Sequence, residues 1–149
     1  MSVSAIAPIE RTVHATNTWH EELREELNLG DTQEAYHALR AVLHALRDRL
    51  TVAEAVDLGA QLPMLLRGLY YEGWTRKDKP LREWKKEEFL EHIAGALRES
   101  PGTYPEGVAC GVFRVLERHV SAGEIQDVKS ILPAEIRALW PESEACHGS

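Results

Sequence analysis

Apolar residues recur at intervals of three and four along most of the chain, with polar residues filling the positions between them. Trp19, Leu23 and Leu27 set the first run, which Gly30 closes. A longer stripe of Tyr36, Leu39, Val42, Leu43, Leu46 and Leu50 follows a capping residue at Asp31 or Thr32. This spacing returns to one side of a 3.6-residue helix, so both runs predict amphipathic helices. Thr51 followed by Glu54 predicts a capping box that starts the next helix. Pro63 has no backbone proton to donate and crowds the turn before it, so it opens a further helix over "PMLLRGLYYEGW". Phe89, Leu90, Ile93 and Leu97 supply another helical face. Val108, Val112, Phe113, Leu116 and Val120 then repeat the long stripe seventy residues on.

The repeat extends further. Leu50 to Tyr70 and Val120 to Trp140 align without a gap at the same offset, pairing Thr51 with Ser121, Glu54 with Glu124, Asp57 with Asp127, Pro63 with Pro133 and Arg67 with Arg137. Caps, core faces and one acid–base pair are what duplication of a packing unit would keep. The prediction is an all-α fold: a compact helical domain of about seven to eight helices, built from two tandem copies of a three-helix unit. The domain is expected over 14–141, with a first copy at 31–74, a basic linker and helix at 75–100, and a second copy at 103–141. Flexible tails are expected at 1–13 and 142–149.

The chain has 149 residues, 44% of them hydrophobic, enough for one shared core. A formal charge of −7 disfavours nucleic acid or anionic lipid as the main partner. Cys110 and Cys146 show no CxxC and no disulfide-framework spacing, which suits a reducing compartment. The N-terminal stretch lacks a basic region and a long apolar run, so neither a secretory signal nor a membrane span is expected, and the expected address is cytoplasmic.

The segments "ALRAVLHALRDRL", "EAVDLGAQLPMLLRGLYYEGW", "EEFLEHI" and "VSAGEIQDVKSILPAEIRALWP" resemble a bacterial and archaeal family known as domain of unknown function family 2267. The resemblance runs from Trp19 to Pro141. It implies a small all-helical fold and brings no established activity, ligand or catalytic residue.

Candidate chemistry is sparse. No Gly-rich phosphate loop, nucleophile elbow or Cys/His pair is present, and no catalytic residue, cofactor or metal is expected. His37, His44 and Asp48 share one line of a helix, but on a side where polar residues are simply solvated. Asp57 with Arg67 and Asp127 with Arg137 place an acid and a base ten residues apart in both copies, which reads as an ion pair or a backbone contact bracing the proline turn. Thr51, Glu54, Ser121 and Glu124 read as structural caps. Gln61, Arg67, Tyr70, Tyr71 and Trp74 give the first copy a polar and aromatic end that the second lacks, where Ile131 replaces Gln61 and Pro141 replaces Tyr71, and this end forms a candidate interface or ligand site. The linker from Thr75 to Lys86 carries six basic residues against two acidic ones, with Trp74 and Trp84 nearby. Nucleic-acid binding there is a weaker reading than attraction to the acidic first helix "EELREEL". The expected function is a non-catalytic interaction or scaffold module, with a homodimer or an unidentified protein as partner. The alternative is a small-molecule-binding protein or unrecognised enzyme centred on Gln61 to Trp74.

Overall fold

The computed structural model describes residues 6–77, 79–82, 85–97 and 104–141. The described residues form eight helices: α1 (Ala7–Leu27), α2 (Thr32–Arg47), α3 (Val52–Ala60), α4 (Met64–Tyr71), α5 (Lys86–Ala96), α6 (Pro105–His119), α7 (Ala122–Ile131) and α8 (Ala134–Arg137). None of them is long and apolar enough to cross a membrane.

Helix starts follow the local chemistry. Asp31, Thr51 and Ser121 each accept a hydrogen bond from the backbone N–H three residues on, satisfying a donor that the first turn leaves without a helical partner. Pro63 and Pro133 occupy the N-cap positions of α4 and α8 with nearly identical extended dihedrals. Helix α1 departs from the expectation: it begins at Ala7, so residues 7–13, expected as tail, are helical. Pro8 sits in its first turn, where a missing N–H costs nothing. Asn28 rather than Gly30 ends it, in the left-handed conformation at φ 55° that asparagine tolerates better than most residues.

Helix α2 is the central element, packed against α1, α4, α5 and α6. Leu39, Val42, Leu43, Leu46 and Leu50 of its stripe are fully buried. Tyr36, expected at the head of that stripe, is 39% exposed, because its ring lies at the groove between α1 and α4 instead of inside. The core continues through Phe89 of α5, Phe113 of α6 and Trp140, whose ring stacks on Phe113 at 4.2 Å between centroids. Cys110, buried on α6, is disulfide-bonded, which removes the thiol argument for a reducing compartment.

Two polar contacts position the periphery. Arg47, at the end of α2, is buried and donates to the carbonyls of Tyr70 and Glu72, holding the exit of α4 against α2. Acidic α1 pairs with α6: Arg114 and Arg118 reach Glu26, and Arg118 and His119 reach Glu22. The acidic helix therefore meets the basic end of α6. Within that linker, Lys86 pairs with Glu106 at 2.9 Å, whereas Asp78, Glu83 and Trp84 lie outside the described residues.

Candidate functional site

Each proline corner is closed by an arginine. Arg67 Nε donates to the Gly59 carbonyl at 3.0 Å and its Nη2 to the Leu62 carbonyl at 3.0 Å. Arg137 repeats both contacts seventy residues on, to Lys129 and Leu132, each at 2.7 Å. The acceptors are carbonyls at the C-terminal ends of α3 and α7, where a helix leaves acceptors without partners and its dipole favours a cation. A planar guanidinium spans two such carbonyls at once. Among the described residues, no ion pair joins Asp57 to Arg67 or Asp127 to Arg137, so the backbone alternative describes these corners and the ion-pair reading does not.

The aromatic end is built into the same corner. Tyr70 is fully buried and its hydroxyl donates to the Ala55 carbonyl at 2.7 Å; burial raises its phenol well above the ordinary tyrosine range. The Tyr71 ring lies 4.9 Å from that of Tyr70 and 5.6 Å from that of Trp74. Tyr71 and Trp74 are partly buried against the core. Gln61 turns the other way, its side-chain oxygen accepting from the Ser121 backbone N–H at 3.2 Å across to α7. The structure brings the three rings together beside Arg67, but Gln61 belongs to the seam between α3 and α7.

That seam gathers carboxylates. Thr51 and Ser121 each accept from the backbone N–H of their glutamate at 3.2 Å, which is one half of a capping box. The reciprocal half is absent at Ser121, whose N–H goes to Gln61. Glu124 faces Glu54 instead, and oxygen atoms of Glu54, Asp57 and Glu124 lie within 4.8 Å of one another. Glu54 Oε1 and Glu124 Oε2 are buried without a hydrogen-bond partner. Burial, then the close approach of the Glu54 carboxyl, then the charges of Glu54, Asp57 and Asp127 push the Glu124 carboxyl up to about 8. Asp127 adds charge here without joining the cluster.

A second place has no counterpart in the sequence reading. Thr16 and His20 of α1, Tyr36 of α2, and Leu65, Leu66, Gly68, Leu69 and Glu72 around α4 enclose a groove of about 480 Å³. Thr16 Oγ1 and His20 Nε2 are buried there without a hydrogen-bond partner, and burial lowers the His20 pKa. The available signal was the fourfold spacing of Thr16 and His20, which puts both on one face of α1. The line of His37, His44 and Asp48 is not assembled into a site: His44 Nε2 bonds the Leu69 carbonyl at 2.8 Å, Asp48 pairs with Arg47, and His37 packs on the Tyr36 ring.

The family model described as "Uncharacterized conserved protein (DUF2267)" matches residues 16–139, and the chain belongs to that family. No curated protein matches it.

Proposed function

We propose that this member of the family is a non-catalytic helical module that binds a second copy of itself through the face where α1 and α4 meet. The observation that carries this reading is the exposure of two large aliphatic side chains in the first turn of α4, Met64 at 57% and Leu65 at 49%. The Leu65 N–H donates to Thr12 Oγ1 at 3.1 Å, so this turn is held against α1, and half-exposed Tyr36 borders the same groove. Burying a whole side chain of this kind contributes about 1.5–3 kcal/mol, so covering the exposed half of each contributes about 1 kcal/mol and makes Met64 and Leu65 fit anchors for a contact. Tyr70, expected at the contact, is fully buried; Tyr71 and Trp74 stand further along α4 and at its exit, as flanking residues. Sedimentation of the full chain tests the proposal. A dimer that Met64→Glu with Leu65→Glu converts to monomer, at unchanged helical content, supports it. A wild-type monomer at all concentrations overturns it.

One observation favours a second reading, a small-molecule site in the neighbouring groove: two residues that line it, His20 and Thr16, each hold a buried polar atom, Nε2 and Oγ1, with no protein hydrogen-bond partner. Ligand titrations followed by the His20 imidazole resonances, with His20→Phe as the control, separate the two readings.

A further inference from the structure

Helices α3 and α7 come from the two halves of the chain and meet at Gln61 and Ser121. Their contact brings three carboxylates close together, although like charges at this range repel. Glu54 is 9% exposed, and its Oε1 is enclosed without any hydrogen bond. Glu124 Oε2 is in the same condition. Among the described residues, no lysine, arginine or histidine forms an ion pair with Glu54, Asp57 or Glu124. A buried carboxylate oxygen with neither donor nor counter-charge is costly, so the seam as it stands lacks a positive partner.

We propose that Glu54, Asp57 and Glu124 bind one hard divalent cation at the α3–α7 seam, a structural clamp between the two halves of the fold. The donor chemistry selects the class of ion: every ligand is a carboxylate oxygen, with no nitrogen or sulfur, and such sets favour magnesium, calcium and manganese over zinc or copper. The geometry agrees. Oxygens on opposite sides of a calcium ion, at bond lengths of about 2.3–2.6 Å, stand about 4.6–5.2 Å apart, and one oxygen from each of the three residues lies within 4.8 Å of the others. Glu54 closes the inner side, Glu124 is half-buried, and exposed Asp57 leaves the outer side open to water ligands and to entry of the ion. The competing occupant is a single proton shared between Glu54 and Glu124, which would satisfy that pair but give Asp57 no role.

The test is titration of the full chain with Mn²⁺, reading free metal by electron paramagnetic resonance, followed by competition with Ca²⁺ and Mg²⁺. One Mn²⁺ per chain, displaced by Ca²⁺ or Mg²⁺, is expected, with affinity at least about tenfold weaker in Asp57→Asn and in Glu124→Gln. Both substitutions are near-isosteric, and Glu124→Gln also imitates the protonated side chain, so the fold is retained; circular dichroism checks this. Added Ca²⁺ is expected to raise the melting temperature of the wild type and to leave Asp57→Asn unmoved. Absence of binding at millimolar metal overturns the proposal in favour of the shared proton. Equal binding by wild type and both variants overturns it in favour of diffuse association with the acidic surface.

Discussion

Gln61 and Ser121 are joined by a hydrogen bond of 3.2 Å, from the backbone N–H that begins α7 to the side-chain oxygen at the end of α3. The bond supplies the Ser121 donor with an acceptor from the other half of the chain and leaves the Glu124 carboxylate free to face Glu54. At the position seventy residues on, Ile131 offers no acceptor.

Gln61→Ala is therefore expected to cost about 0.5–1.5 kcal/mol, the net contribution of one such bond. Gln126→Ala, at an exposed position of α7, serves as the control and should change little. Urea melts of the two variants make the comparison; equal midpoints would show that Gln61 is not holding the seam.

Arg67→Met should cost about 1.5–3 kcal/mol, because two carbonyls lose a charged donor. Arg67→Lys should recover less than half of that loss, since an ammonium has no rigid fork to span the Gly59 and Leu62 carbonyls together. Denaturant unfolding of the pair decides, and full rescue by lysine would reduce the corner to a charge effect.

Burial lowers the pKa values of both His20 and His44 below the ordinary 6.5. Between those depressed values and 6.5 the unfolded chain takes up protons that the folded chain refuses. The histidine contribution to stability is thus complete above pH 6.5 and is lost as pH falls through the folded-state values, while Glu124, whose carboxyl is raised in the folded state, contributes with the opposite sign. Between pH 7.5 and 5.5 the urea midpoint of the double variant His20→Gln with His44→Gln should therefore shift upward relative to that of the wild type, which isolates the histidine loss from the Glu124 gain.

Gly59→Ala should destabilise by about 1–3 kcal/mol, because a methyl group there would run into the Tyr71 hydroxyl and the Tyr70 ring. Tyr71→Phe removes the nearest atom and should restore part of the loss. Thermal melts of the single and double variants measure the coupling.

The sequence carried the parts of this fold that are local. Asp31, Thr51 and Ser121 cap helices because a short polar side chain reaches the N–H three residues on, whatever lies beyond. Pro63 and Pro133 turn the chain for equally local reasons. Legibility stopped where a side chain chooses between neighbours near in sequence and neighbours near in space. Glu124 has the spacing of a capping box, yet its carboxylate faces Glu54, since Gln61 has taken the donor it would have met. Tyr36 fits the apolar stripe by period but lies at its edge, where α1 and α4 leave a groove open. The aromatic cluster was legible as a cluster; that Tyr70 is enclosed while Met64 and Leu65 stay exposed depends on how α4 rolls against α2, which periodicity in a helix of eight residues does not fix.

The arginine clasp also sets an order of events. Arg67 closes a loop of eight residues onto Gly59, whereas Gln61 must find Ser121 across sixty. Chain-closure entropy makes the longer search more costly by about 2 kcal/mol. A corner can therefore take shape as soon as its own residues collapse, and the two halves then meet as pre-bent pieces whose final step is docking.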